Sequence, residues 1–363
     1  MKRILVDINH PAHVHLFKYF IQDAQSAGHE VVVTAKNIDS VTDLLRLYQI
    51  KFINIGNRKD HILLKYIYEF VHFIKVLLLV RSRKINYGIG VSLVLPLVSK
   101  LTPMKSFVLD DDDLTAAPIS GKFISWADVI LNPDALAHEK RGHQQVCYPS
   151  YHELAYLHPN RFVPDPTVLN EAGIQEGETF FVLRFNAFKA HHDAGIRGFS
   201  LAQKLELVKL LSAFGQVFIT SERSIESELE PYQLPVSADK IHSLLHFATL
   251  FIGDSQTMTT EAAILGTPAL KMNSFAGRLS IPNELEHQYR LCYSFSPDEF
   301  DGMIAKIKEL LIGSDVKERW AHRKAVMLNE KIDLTSFLIQ LILHYPKSIA
   351  NQKPIFSANE SSL

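Results

Sequence analysis

The sequence predicts two doubly wound α/β domains in tandem about a common cleft. Three observations lead there. Short apolar runs suited to buried strands alternate with segments whose apolar residues recur every three to four positions. The alternation stops in a stretch rich in proline and aromatic residues, 147–174, and then begins again. The chain has 363 residues, 47% of them hydrophobic, which is the length of two ordinary domains with a core in each.

RILVDI, residues 3–8, is the first strand; Asp7, Asn9 and His10 interrupt the apolar run too early for a secretory leader. PAHVHLFKYFIQDAQSAGH follows, with Val14, Phe17, Ile21 and Ala24 on one helical face, Pro11 near the start and Gly28 as the stop. EVVVTA (30–35) is the second strand, so the chain opens as a βαβ unit with a right-handed crossover. A helix near 38–48, a strand at 51–55, a helix near 61–82, and strands at 87–91, 106–110 and 128–133 complete a first domain, 1–150. A connector, 151–175, is ordered by its aromatics rather than by periodicity. Strands at 179–185, 216–221, 249–254 and 267–272 build a second domain, 176–312. Helices near 297–312 and 316–344 follow, the C-terminal helices spanning 313–348, and a polar tail, 349–363, is expected to be disordered.

Composition narrows the function classes. Lys plus Arg (38) balances Asp plus Glu (39), which argues against a nucleic-acid partner. Cys147 and Cys292 stand far apart with no CxxC, so neither a disulfide framework nor a zinc ribbon is expected, and the cytoplasm is the default compartment. The most apolar stretch, FVHFIKVLLLV (70–80), is too short for the roughly 20 residues that span a bilayer, and it carries His72 and Lys75. It reads as a buried helix. Peripheral contact with the inner face of a membrane is the alternative, supported by Lys65, Lys75, Arg81, Arg83 and Lys84.

FIGDSQTMTTEAAILGTPALKM (251–272) carries the most chemistry. A strand ends in Gly253-Asp254-Ser255 and a helix begins near Thr257, so its first turn, with Ser255, Gln256, Thr257, Met258 and Thr259, offers backbone N–H groups and a positive dipole end to a diphosphate. Ser255, Thr257, Thr259 and Thr260 add hydroxyls; Glu261, a turn further in, is placed to accept from ribose hydroxyls. Ordinary helix capping is the alternative. The pattern Glu261-Ala262-x-x-x-Gly266-x-Pro268 resembles the donor signature of GT-B glycosyltransferases and the related nucleotide-sugar 2-epimerases. More narrowly, NHPAHVHLFK, HELAYLHP and GDSQTMTTEAAILGTP resemble segments of the domain-of-unknown-function-354 family.

This resemblance implies two Rossmann-like domains, a C-terminal helix crossing back to the first, and a nucleotide sugar as substrate with no further cofactor. It assigns the ribose to Glu261 and the diphosphate to the 255–260 loop with Arg184 and Lys189, an Arg-x4-Lys pair whose cations would stabilise the leaving group. His191 and His192 are left without a role. Gly253 stands where many retaining GT-B enzymes carry a second Glu, which leans toward the inverting enzymes and the epimerases. Asn9-His10-Pro11-Ala12 replaces the glycine-rich loop of the lipid-linked N-acetylglucosaminyltransferases, so an identical lipid-diphosphate acceptor does not follow.

Two constellations remain. His10 sits at a strand crest with His13 one turn on. The resemblance to inverting GT-B enzymes implies that one of them is the general base for an acceptor hydroxyl or binds the acceptor; helix capping is the alternative, His15 faces elsewhere, and a metal site lacks further ligands. The four carboxylates of LDDDDLTA, Asp110 to Asp113, form a solvated or helix-capping turn or serve in substrate contact or acid–base chemistry, with Asp110 and Asp111 nearest the strand end; Mg²⁺ is a minor alternative. No metal is expected. The sequence therefore predicts an inverting GT-B glycosyltransferase for glycan or polysaccharide synthesis, using a nucleotide sugar such as a UDP-sugar and a sugar or lipid-linked acceptor. A nucleotide-sugar 2-epimerase, a hydrolysing form included, and a non-catalytic nucleotide-sugar-binding protein are the alternatives.

Overall fold

The computed structural model describes residues 1–57, 62–116, 118–142, 144–175, 177–185, 198–221 and 225–350. The chain divides into two compact units, residues 1–161 with those from 331 onward, and residues 162–330. Each is an α/β fold on a parallel sheet.

Unit 1 holds seven strands: β1 (Arg3–Ile8), β2 (Glu30–Asn37), β3 (Ile53–Asn57), β4 (Tyr87–Gly90), β5 (Lys105–Leu109), β6 (Val129–Pro133) and β7 (Gln145–Tyr148). Their order is β3-β2-β1-β4-β5-β6-β7, parallel throughout. The direction of winding reverses between β1 and β4, and the carboxyl ends flanking such a switch point are where ligands of doubly wound sheets bind. β4 to β6 are almost wholly buried, which is why they read as unbroken apolar runs. The helix Ile62–Arg83 lays Val76, Leu77 and Val80 on a core with Leu5, Val32, Ile55 and Val94. Its Phe70, Val71 and Leu78 are exposed. Among the described residues no helix is long and apolar enough to cross a membrane.

Unit 2 holds β8 (Phe180–Arg184), β9 (Gln216–Thr220), β10 (Leu250–Gly253), β11 (Ala269–Met272) and β12 (Cys292–Phe295), in the order β12-β11-β10-β8-β9. Here the switch point lies between β8 and β10. A glycine sits beside each switch. A Cβ on Gly90 would lie 2.8 Å from the Asp7 carbonyl oxygen of β1, and one on Gly253 would lie 2.7 Å from the Arg184 carbonyl oxygen of β8. Both separations are below any real Cβ contact, so the two strand ends approach only because the side chains are missing.

The differences from expectation are local. β7 and β12 were not foreseen; both are four-residue strands at a sheet edge. The span 151–175 contains short helices at Leu154–Leu157 and Thr167–Glu171. The single helix expected over 316–344 is two, Val316–Glu330 and Leu334–Leu343. Asp333 breaks it, its Oδ1 accepting from the Ser336 N–H at 3.1 Å as an N-cap. From this break the chain rejoins unit 1. Lys331 pairs with Asp134 at 2.7 Å, Ser150 Oγ donates to the Ile332 carbonyl at 2.7 Å, and Arg161 bridges Asp23 and Asp333, both at 2.7 Å. The expected tail falls almost entirely outside the described residues.

Candidate functional site

In unit 1 the β1 crest leads straight into the helix Pro11–Ser26. His10 is its N-cap, with its Nδ1 accepting from the Ala12 N–H at 3.2 Å, and Pro11 fills the first turn, where no N–H is needed. His13 Nδ1 accepts from the Asn9 N–H at 3.3 Å, and the two rings are 5.8 Å apart. A ring that accepts at Nδ1 carries its proton, when neutral, on Nε2. His10 and His13 are therefore hydrogen-bond donors at Nε2 in their neutral forms. His13 stays neutral down to about 3, because burial and then the charges of His10 and His152 oppose its protonation. His15 turns away to Tyr48, its Nδ1 3.3 Å from the phenol oxygen.

Asp111, just past β5, meets His152, just past β7, with Oδ2 3.1 Å from Nδ1. His152 is buried, and its Nε2 has no hydrogen-bond partner among the described residues. Burial alone would lower this imidazole, but the adjacent Asp111 charge and hydrogen bond raise it above the ordinary value. Asp111 is lowered in turn, His152 outweighing the burial that would raise it. The pair is thus a carboxylate-oriented imidazole with an open nitrogen.

Asp110 has a different environment. Its carboxylate meets the buried Arg141, which also reaches Glu139 and the Asp112 carbonyl. Burial nevertheless raises Asp110, prevailing over Arg141. Glu139 further accepts from the Leu114 N–H at 3.0 Å, which pins the acidic turn. Asp113, His138 and Glu139 bring potential metal-ligand atoms within 4.8 Å of one another, but Glu139 is already engaged with Arg141 and that N–H.

Beneath the crest lies Asp7, wholly buried. It accepts from Thr34 Oγ1 at 2.8 Å and Asn9 Nδ2 at 2.9 Å, and His72 Nε2 stands 3.3 Å away. Burial would raise its pKa, but bonds from His72, Ser92 and Asn9 hold it well below the carboxylate range. His72 is raised, Asp7 and Glu69 overcoming its burial. His72 Nδ1 is 3.5 Å from Glu69, near enough to attract but too long for a hydrogen bond. Glu69 is lowered to about 2 by His72 and by Lys36, which pairs with it at 2.5 Å. Through Asn9, Asp7 fixes the loop that holds His13.

In unit 2 the helix Gln256–Leu265 starts at the carboxyl end of β10. Ser255 caps it, accepting from the Met258 N–H at 3.4 Å, and Ser255 to Met258 are half-exposed, so the first turn is open to a ligand. Thr259 and Thr260 are buried and donate to the carbonyls of Ser255 (2.7 Å) and Gln256 (3.2 Å). Their hydroxyls brace the cap and do not face outward, which corrects the expectation that they add donors for a diphosphate. Glu261 is also buried, its Oε1 3.0 Å from His242 Nε2. Arg184 lies across the switch, where its carbonyl accepts from the Asp254 N–H at 3.1 Å and its Nη1 donates to Thr220 Oγ1 at 3.3 Å. Lys189, His191 and His192 lie outside the described residues.

Several residues gathered at these crests had no assigned role in the sequence: Asp7, His72, Arg141, His152 and Lys271. Lys271 is wholly buried at the end of β11, donates to Gln256 Oε1 at 2.6 Å, and is pushed down to about 8 by burial. A lysine inside the apolar run PALKM was the visible signal for it.

Comparison with known proteins gives the family and the fold. The family described as "Protein of unknown function (DUF354)" matches residues 2–281. No curated protein matches the sequence. Among solved structures, the UDP-GlcNAc 2-epimerase of Neisseria meningitidis bound to UDP-GlcNAc aligns with a TM-score of 0.65 at 10% identity, over 94% of this chain and 99% of that one. The S. aureus MnaA–UDP co-structure aligns at 0.68 and 11%, over 98% and 99%. The Streptomyces sp. SF2575 glycosyltransferase SsfS6 aligns at 0.58 and 12%, over 94% and 100%. At such identities the likeness is one of fold: two parallel Rossmann-like sheets of the kind found in GT-B glycosyltransferases and UDP-GlcNAc 2-epimerases.

Proposed function

This chain belongs to the DUF354 family, and from its GT-B-like fold and its site geometry we propose that it is an inverting nucleotide-sugar-dependent glycosyltransferase. The observation that carries the reading is the Asp111–His152 pair, whose buried, open Nε2 stands at the carboxyl edge of a doubly wound sheet. An imidazole held at Nδ1 by a carboxylate is the arrangement a general base requires.

In this reaction the acceptor hydroxyl loses its proton to His152 Nε2. Its oxygen bonds to the anomeric carbon as the bond from that carbon to the diphosphate oxygen breaks. The nucleoside diphosphate leaves with the electron pair, and His152 returns its proton to water. The open N–H groups at the start of helix Gln256–Leu265, with Arg184 and Lys189, are assigned to the diphosphate. Glu261 is assigned to the ribose. His10 and His13 donate hydrogen bonds to substrate oxygens and leave proton removal to His152. A lipid-linked acceptor would give the exposed Phe70, Val71 and Leu78 a membrane surface to meet.

The test is release of nucleoside diphosphate from a panel of UDP-, GDP-, CMP- and dTDP-sugars with candidate sugar and lipid-linked acceptors, with His152→Ala and Glu261→Ala alongside. Donor that binds wild type but not Glu261→Ala, and reacts in wild type but not His152→Ala, supports the reading. A fully active His152→Ala overturns it.

One observation favours a second reading. Adjacent Asp110 and Asp111 are pushed in opposite directions, raised and lowered, and such a pair supplies an acid beside a base. A 2-epimerase removing and returning the proton at the sugar C2 would use both. It would incorporate solvent deuterium at C2 from donor alone, which the transferase would not.

A further inference from the structure

At the opposite ends of the unit 1 strands from the crest lies a cavity of about 620 Å³. It is bounded by the residues that open β1, β4 and β5, by the last turn of helix Ile62–Arg83, and by the Tyr345-Pro346 segment. Four cations line it, Lys2, Arg81, Lys84 and Lys105, and no carboxylate does among the described residues. Lys105 is paired with Asp128 at 2.8 Å, while Lys2, Arg81 and Lys84 form no ion pair among the described residues. The other walls are apolar or aromatic: Val80, Ile85, Pro103 and the rings of Tyr87 and Tyr345, with Lys2 Nζ 5.1 Å from the Tyr87 centroid.

Lys84 is held at the cavity mouth by a left-handed helix end, a conformation that Gln49 and Arg290 also adopt. It follows the helix Ile62–Arg83 with φ of 50°, and the Ile85 N–H closes onto the Val80 carbonyl at 3.1 Å. The helix Pro11–Ser26 ends in the same way, His29 N–H to Ala24 carbonyl at 3.0 Å, but with Gly28 in the left-handed position. Glycine is the usual occupant of that position, since a Cβ there crowds the following carbonyl oxygen. A lysine is carried here at the mouth of a cavity already rich in positive charge.

We propose that this cavity is a second binding site, separate from the crest, for a phosphate-bearing ligand with an apolar or aromatic body. The phosphate meets Lys2, Lys84 and Arg81, and the body rests against Tyr87 and Tyr345. An anion relieves the mutual repulsion of three unpaired cations, and aromatic walls favour a ring or acyl chain over a bare ion. A soluble phosphate ester and a lipid headgroup share this chemistry.

The test uses the full chain and two probes, sodium pyrophosphate by titration calorimetry and phosphatidylglycerol vesicles by co-sedimentation, at low salt. The variants are Lys84→Gly, which removes the charge and relieves the backbone, and Lys2→Ala/Lys84→Gly. Wild type is expected to bind a probe at least tenfold more tightly than the double variant, while the thermal midpoint of Lys84→Gly does not fall. Response to pyrophosphate identifies a soluble ligand, and response to vesicles alone a headgroup. Identical binding of both probes by wild type and double variant overturns the proposal. Glu261→Ala should leave this response intact, so a failure of the crest reading is seen separately.

Discussion

Replacing Asp7 by Asn tests how the unit 1 crest is held. The wild-type carboxylate is wholly buried, accepts from Thr34 and Asn9, and faces His72 at 3.3 Å. Asparagine keeps the shape and can still accept from Thr34, but it removes the counter-charge and leaves His72 buried with only Glu69, 3.5 Å away. Removing one member of a buried pair costs roughly 3–5 kcal/mol, and the bonds that Asn retains point to the lower figure, about 3 kcal/mol. The pH dependence provides the sharper check. His72 is raised, so its contribution is complete below the ordinary histidine value of 6.5 and is lost as pH rises through its native value. Asp7 is lowered, so its contribution is complete above the ordinary value of 3.8 and is lost as pH falls through its native value. The pair is therefore worth most between 3.8 and 6.5. Urea unfolding of both proteins from pH 4.5 to 8.5 should show a gap that is widest near pH 5.5 and narrows toward 8.5. Equal midpoints throughout, or a gap that does not change with pH, would refute this account of the pair.

Asp111→Asn should lower turnover by about 10²-fold or more, and because Asp111 raises His152, the acid limb of the pH–rate profile should move to lower pH; a limb that stays in place removes His152 as the base. Gly253→Ala places a Cβ 2.7 Å from the Arg184 carbonyl, and overpacking of this kind costs about 1–3 kcal/mol; melting and donor titration should both register it, and an unchanged variant would contradict the close approach of β8 and β10. Lys271 is lowered from 10.5 to about 8, so the wild type should gain stability as pH rises between those values. Lys271→Met should lack that slope and be more stable near pH 7 by up to about 3 kcal/mol, as read by urea melts at pH 7 and 10.

Most strands were visible in the sequence because both sheets are buried on both faces, which turns each strand into a short apolar run between helical segments. QVCY and CYSF escaped for the same physical reason: as edge strands of four residues they need no unbroken apolar run. The first omission had a consequence for the site. Once β7 is known to end at Tyr148, His152 stands just past its carboxyl end; without that strand, HELAYLHP reads as a connector. The helix cap at Ser255 was legible from residue type, but the inward turn of Thr259 and Thr260 was not, since a threonine in a first turn donates equally well to a ligand or to the carbonyl four residues back. Which nitrogen of His10 and His13 carries the proton depends on backbone N–H groups whose directions no residue spacing reports.

The return of residues 331–350 to unit 1 bears on how the chain is made. The Asp134, Ser150 and Arg161 side chains bond to residues that leave the ribosome only after all of unit 2 has been synthesised. At roughly 5–20 residues per second, that interval is on the order of ten seconds. Unit 2 is continuous in sequence and is free to complete itself during synthesis. The helices Pro11–Ser26 and Leu154–Leu157, although translated first, must wait with one side uncovered until helix Leu334–Leu343 emerges to pack on them.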